Sequence, residues 1–355
     1  MLKLKINNRL FTGWTGASIT RNLKQAATPF NLSLTDKWDQ KAWQVKPFDK
    51  CELVYNDVVM VSGYIDSASV DYDAEDHSVS ISGRSKTADI VDCSVASTQF
   101  KNQKIDAIIR ALVKPFGINV LIEADAGHAI PFYKADEGVS VFEAIEKLAR
   151  LRALLITDNG NGDLVLTQAG TQRAPAALVH GQNIKAASAS YDVKERFSDY
   201  TIKAQQKGSD DIDAVAASQI KASVKDQNVT RYRPLILTTE DQADLRTATA
   251  RINWEANIRT GLSQTFIITV VGWMVAGVLW DINQIVRLTD PLLGVDVDLL
   301  ITAVDYSLDE SGTLARLTLQ PRSALLPEPE ITKTKAQKAK EIPVIWTDLN
   351  DIKAT

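Results

Sequence analysis

The chain has 355 residues, 45% of them apolar and 24% charged, with a formal net charge of −4. That length suits about two to three domains with real cores. The mildly acidic balance argues against a nucleic-acid binder, which presents a basic face, although it leaves a local basic patch open.

Residues 1–95 carry a β pattern. Leu2, Leu4 and Ile6 alternate with Lys3, Lys5 and Asn7, giving one apolar and one polar face. The runs 17–21, 30–34, 50–55, 58–61 and 78–82 continue it, Asn56-Asp57 reads as a hairpin turn, and 71–77 reads as a polar loop. Short strands at this spacing predict a small barrel or sandwich. The start alternates rather than placing a basic segment before an apolar block, so no secretory leader is expected.

From 96 to 172 the period changes. Ile105, Ile108, Ile109, Leu112, Val113 and Phe116 share one helical face, and Gly117 follows the helix. Ser140 and Glu143 form a capping box ahead of a second helix. Asn159-Gly-Asn-Gly162 predicts a hairpin between 154–157 and 164–167. The expected unit is α+β.

Residues 173–208 return to β character, and 209–261 read as an exposed loop followed by a helix. That helix opens at a capping box, Thr239–Gln242, with Ala243, Thr247, Ala250, Trp254 and Ile258 on its stripe. Strands resume over 262–325. The apolar stretch 265–280 is broken by Gly272 and Gly277, short of the roughly 20 residues of a membrane span. The expectation is a chain made in the cytosol that stays soluble until it meets a partner. Residues 326–355 form an extended tail, with stiff Pro327-Glu-Pro-Glu330, interleaved lysines, and an apolar patch holding Ile345 and Trp346.

Catalytic signatures are missing from the sequence. His77, His128 and His180 stand alone, without a second ligand at metal spacing. No nucleotide-binding, nucleophile-elbow or zinc-protease motif occurs. The acidic clusters 71–76 and 210–213 lack the glycine and glutamate of a calcium loop, and read as solvated tips. The only cysteines, Cys51 and Cys93, are expected as reduced thiols in or near a core, with a disulfide between them as the alternative. No metal, cofactor or catalytic residue is expected, and no specific nucleic acid or membrane insertion.

Several segments carry a resemblance. Gly13-Trp14 after Arg9-Leu-Phe, Gly63-Tyr-Ile-Asp66, and Gly83-Arg-Ser-Lys-Thr-Ala-Asp89 through Cys93 resemble the baseplate hub of Mu-like phages. So do Val141-Phe-Glu-Ala-Ile-Glu, Gly162-Asp-Leu-Val-Leu, Trp254-Glu-Ala-Asn and Gly272-Trp273. They run in the same order across most of 1–325, and the family is similar to the hubs of T-even phages and the late-control proteins of other contractile tails. The resemblance implies a mostly β, α+β fold. Two small barrel-like domains, 1–95 and 173–208 with 262–325, are joined by an α+β domain at 96–172 and an insertion at 209–261. It implies a homotrimeric ring with approximate sixfold symmetry, meeting a hexameric tail tube on one side and a trimeric central spike on the other. Its place would be the virion tail baseplate, assembled in the host bacterial cytoplasm.

Within that frame the marked residues read as structural. Gly13, Gly63 and Gly83 permit turns or close backbone approach. Arg84 and Asp89 either pair to hold the end of the first β region or cap the next segment. Trp14, Trp254, Trp273 and Trp280 read as core anchors. Ile345 and Trp346 lie beyond a linker and read as a partner contact. The competing expectations are a tail-associated cell-envelope hydrolase, which needs facing carboxylates or a metal set, and a carbohydrate-binding tail module, which needs exposed, coplanar tryptophans.

Overall fold

A computed structural model describes residues 1–7, 9–35, 45–73, 77–152, 154–170, 172–204, 220–238 and 245–325. The fold is mostly β with a few helices. The first region holds β1 (Leu2–Ile6), β2 (Arg9–Phe11), β3 (Gly16–Asn22), β4 (Pro29–Thr35), β5 (Lys50–Tyr55), β6 (Val58–Tyr72) and β7 (His77–Ser85). Alternation in β1 buries Leu2, Leu4 and Ile6 as expected. Asn56 and Asp57 both take positive φ (45° and 66°), which turns β5 tightly into β6.

An α+β unit follows: α1 (Ala88–Asp92), β8 (Gln99–Gln103), α2 (Ile105–Val113), β9 (Val120–Ile122), β10 (Ile130–Lys134), α3 (Val141–Arg150), β11 (Leu155–Asp158) and β12 (Leu164–Thr167). The Ser140 hydroxyl accepts the Glu143 backbone N–H at 3.1 Å, and the Glu143 carboxylate accepts that of Ser140 at 2.8 Å. This closes the capping box. The apolar faces of α2 and α3 meet in a core of their own with β9, β11 and β12.

Short strands β13 (Gln172–Arg173) and β14 (Leu178–Val179) lead to β15 (Ala186–Tyr191), then β16 (Asp199–Ala204), β17 (Ile220–Lys225), β18 (Pro234–Thr238) and α4 (Leu245–Leu262). The chain ends in β19 (Gln264–Val271), β20 (Met274–Val275), β21 (Val278–Leu279), β22 (Gln284–Asp290), β23 (Val295–Asp309), β24 (Gly312–Gln320) and a 3-10 turn at Arg322–Leu325.

Three details differ from expectation. The stretch 209–261, expected as loop and helix, also holds the strands β17 and β18, because both pair with β16. β16 does not join the second β region; it pairs with β17 and β18, and α4 covers that small sheet to make a third core. The stripe expected on α4 also differs. Thr247 is buried as expected, but so are Ala248, Ile252 and Glu255, whereas Ala250 is exposed and Trp254 and Ile258 are half-buried. The reason is that α4 has two neighbours: β16 and β17 on one side, and the turn at Arg322–Leu325 near its end. There Gly261 lies so close to Ala324 that an added Cβ would stand 2.3 Å from its backbone nitrogen. The Thr239–Gln242 capping box lies outside the described residues.

The two β regions repeat one topology. The order β3-β4-β7-β6-β5 recurs as β15-β19-β24-β23-β22, with every neighbouring pair antiparallel. β6 and β23 are each 15 residues long. Each carries a register shift where it meets the hairpin partner, between Ile65 and Ser67 in one and Ile301 and Ala303 in the other. Counting from these bulges makes Phe30 equivalent to Phe266, and both are 1% exposed.

The repeats join edge to centre. β3 pairs antiparallel with β23, from Ala303↔Asn22 to Leu308↔Ala17. Residues 295–300 of β23 pair with β22, and β3 takes over the same edge beyond the bulge. A fourteen-stranded sheet and one hydrophobic cluster therefore run through both regions.

Cys51 is buried in this cluster, and burial pushes its thiol up to about 12. Cys93 is also free but exposed, because it ends α1 at the surface. An aromatic disulfide reagent at pH 8 should therefore label one thiol in the native protein and two after denaturation. Rapid labelling of both in the native protein would contradict this packing.

Candidate functional site

The residues that set the shape of this molecule gather where the β3–β23 ladder meets the α+β unit. β3 alternates, so Ala17, Ile19 and Arg21 share the inward face. Ile19 faces Tyr306, and both are at most 1% exposed. On the outward face the Thr20 hydroxyl donates to Asp305 Oδ1 at 2.8 Å.

Arg21 is the only charged member of the inward face. Its Nη1 donates to both carboxylate oxygens of Asp281, at 2.6 Å to Oδ2, and its Nη2 donates to the Asp158 carbonyl at 2.8 Å. One guanidinium thus ties the first region to the second and to the α+β hairpin. Burial works against its charge, but Asp281 and Asp158 outweigh that, and its pKa is raised.

The Asp158 carboxylate faces the other way. It accepts the Thr28 backbone N–H at 2.9 Å and the Thr28 hydroxyl at 2.8 Å, together with the Ser85 hydroxyl. Asp158 is 2% exposed. Burial pushes its carboxyl above the usual range, while Arg21, Ser85 and Thr28 pull against that shift. The turn that follows is pressed onto the first region. A Cβ on Gly160 would stand 2.1 Å from the Val59 carbonyl oxygen, and Gly162 has φ 73° beside the Ser62 carbonyl. The glycines of 159–162 are thus needed for close approach as well as for the turn.

Trp273 makes a second tie. It is fully buried, donates its indole N–H to the Ser307 carbonyl at 2.9 Å, and lies between Tyr55 and Tyr306 at centroid distances of 4.6 and 5.6 Å. Tyr55 belongs to the first region and Tyr306 to the second. The Tyr306 hydroxyl donates to the Trp280 carbonyl, and burial raises its pKa.

The other residues marked in the sequence fall around this junction. Gly63 faces β7 so closely that a Cβ would stand 1.9 Å from the Arg84 carbonyl oxygen, and one on Gly83 would stand 2.3 Å from the Tyr64 carbonyl oxygen. Gly13 turns with φ 87°. Trp14 is buried in the shared cluster. Arg84 does not bond Asp89. Its guanidinium bridges Asp66 and Asp92, each at 2.7 Å, because Asp66 sits in the β6 bulge beside it and Asp92 ends α1. Asp89 stays in the first turn of α1, its pKa raised by burial and by Asp92. Trp254 lies under the Arg251 guanidinium at 4.7 Å. Ile345 and Trp346 lie outside the described residues.

Trp14, Trp273 and Trp280 are all buried, so they do not supply the open ring platform that a carbohydrate-binding module requires. Among the described residues no group of three His, Cys, Asp or Glu side chains is arranged to hold a metal. No described helix is long and apolar enough to cross a membrane. Sequence reading missed Arg21, Asp158 and Asp281. Their one local signal is Asp158 directly before the Asn-Gly-Asn-Gly turn; the other two stand 260 positions apart.

Four stretches match known protein families. Residues 1–85 match the N-terminal domain of Mu phage baseplate assembly protein GpP-like proteins, and 87–168 match the second domain of gp44-like baseplate hub proteins. Residues 196–253 match the third domain of NMB1110-like tail proteins, and 245–328 the fourth domain of the Mu phage baseplate assembly protein GpP. Baseplate hub protein gp44 of Escherichia phage Mu is 32% identical over 335 residues, which is 91% of this chain and 88% of gp44. The 43 kDa tail protein of prophage MuSo2 from Shewanella oneidensis has a TM-score of 0.82 at 34% identity, over 92% of this chain and 99% of that one. A tail protein from Neisseria meningitidis MC58 shares the fold, with a TM-score of 0.77 at 22% identity over 92% and 98% of the two chains.

The junction makes a stability prediction. D158A leaves the Thr28 and Ser85 donors without their acceptor and should cost about 2–4 kcal/mol in chemical denaturation. D158N, which keeps one acceptor oxygen, should cost less. Between the ordinary carboxyl value of about 4 and its raised native value, Asp158 binds a proton that the unfolded chain does not. Its contribution therefore falls as pH rises through that window, and D158N should remove that slope. An unchanged midpoint in D158A would contradict the account.

Proposed function

Because the chain belongs to the family of Mu-like phage baseplate hub proteins, we propose that three copies of it close into a ring that adapts a hexameric tail tube to a trimeric central spike. The protein is a baseplate hub of a Mu-like tail, and its place is the baseplate of the virion tail. Assembly in the host bacterial cytoplasm is part of the proposal.

The internal repeat carries this reading. Each chain offers two modules with the same strand order, the same long bulged strand and the same buried phenylalanine. Three chains then offer six similar modules, which is what a threefold particle needs to face a sixfold tube. The first region, β15 and the strands from 262 to 325 form the ring. The α+β unit and the sheet covered by α4 have cores of their own and stand outside it. Ile345 and Trp346 are proposed to reach a neighbouring protein.

In this reading the role is mechanical, and no catalytic step is assigned. Trp14, Gly63, Gly83, Arg84, Asp89, Trp254 and Trp273 serve the shape of the ring segment. Gly63, Gly83 and Trp273 have the firmest support, because each sits where backbone or rings from different strands approach closely. Light scattering on the purified chain at micromolar concentration should give the mass of three chains, without added metal or nucleic acid. A monomer would contradict the ring.

A further inference from the structure

The repeat leaves two strand edges unequal to their counterparts. In the internal junction, residues 303–307 of β23 face 22–18 of β3, and all of them except Ser18 are buried or half-buried. Counting from the two bulges, the β6 residues equivalent to 303–307 are Ser67, Ala68, Ser69, Val70 and Asp71. Counting from Phe30 and Phe266, the residues equivalent to Ser18–Asn22 are Ser188, Ala189, Ser190, Tyr191 and Asp192. Only Ala68 and Ala189 of these ten are even half-buried; Val70 is 39% exposed and Tyr191 58%.

Each segment has a ladder on one edge only among the described residues. Beyond the bulge β6 pairs with β7, and β15 pairs with β19. Among the described residues, the edge of β6 that β5 covers as far as Tyr64 carries no strand along 67–71. This is the edge that β3 fills on β23. Natural edge strands are usually protected by charge, proline, a bulge or a covering element; neither segment contains Lys or Pro, and the single charge of each is the Asp at its end, Asp71 and Asp192. They also have nearly the same sequence, Ser-Ala-Ser-Val-Asp at 67–71 and Ser-Ala-Ser-Tyr-Asp at 188–192.

We propose that these edges pair between two copies of this chain, β15 of one copy adding antiparallel to β6 of the next in the register Ala68↔Tyr191, Ser69↔Ser190 and Val70↔Ala189. The pairing repeats between chains what β3 and β23 do within one. It sets apolar side chains against apolar ones on the core side, where Ala68, Ala189 and the ring of Tyr191 already pack on the first cluster and on Phe266. Hydroxyls meet on the other side, at the place where Thr20 meets Asp305. Asp71 and Asp192 fall opposite serines rather than opposite each other. The contact uses two different surfaces, so it propagates head to tail and closes only as a ring. It rests on the hub reading and supplies the interface that reading needs.

The test is disulfide capture in full-length protein carrying Cys93→Ser, which removes the exposed native thiol. V70C with A189C should oxidise to covalent species of up to three chains on a non-reducing gel, because opposed residues lie about 5 Å apart. V70C alone and A189C alone should stay unlinked, while co-expressing the two single variants should link them. V70C with A187C should link at least about tenfold more slowly, since diagonal neighbours stand about 7–8 Å apart. As a check free of substitutions, hydrogen exchange on the wild-type ring should protect amides within both 67–71 and 188–192. A three-chain particle with unlinked V70C/A189C and rapid exchange in both segments overturns this ladder and leaves the hub ring standing. A monomer by light scattering overturns both. A two-chain particle, from identical edges pairing, or protected edges in a monomer, from the chain's own tail covering them, also overturns the ladder.

Discussion

Everything in this structure depends on one strand ladder, β3 against β23. An ordinary pair of β domains would be joined by a linker and free to move. Here the edge of one module is a strand in the sheet of the other, and every rung from Ala17 to Asn22 adds to a single cooperative unit. Arg21 makes the ladder specific. Its two terminal nitrogens find their acceptors only when Asp281 of the second region and the Asp158 carbonyl of the α+β hairpin arrive together. Breaking one partner strands a buried charge, which costs far more than the intact contact contributes. The angle between the modules is thus fixed by chemistry as well as by packing.

In the proposed ring, a repeated module held at a fixed angle is the physical means by which three chains would meet partners of different symmetry. The remaining elements fit around this frame. The α+β unit touches the first region through a turn stripped of side chains at Gly160 and Gly162, so its backbone can lie on β6. The sheet of β16, β17 and β18 is held through α4, whose end packs on the turn after β24. These two units can vary in surface without disturbing the shared sheet, because their cores are separate from its own.

Much of this was legible in the sequence. Alternation in β1, the apolar face of α2, the Ser140–Glu143 box and the turn at Asn56-Asp57 are local patterns, and each appears where the sequence places it. The family resemblance was carried by the same kind of local motif. The repeat is not legible locally, because few equivalent positions share identity as Phe30 and Phe266 do. Gly83 corresponds to Leu319 and the bulge residue Asp66 to Thr302. For Arg84 and Asp89 the local pattern leaves two readings open, a pair or a cap; Arg84 bonds Asp92 at the end of α1, and Asp89 stays in its first turn. α4 misled because a helix packed on two sides has no single stripe. Arg21 and Asp281 have no local signature, since nothing near either residue announces a partner that far along the chain.

The central claim is that one chain presents two equivalent modules at a fixed angle. Electron cryomicroscopy of the assembled particle, viewed down its axis, tests it most directly. Six similar densities evenly spaced around the inner wall, with threefold features only in the outer layer, are predicted. Three isolated lobes with no relation between the two β regions of each chain would contradict it.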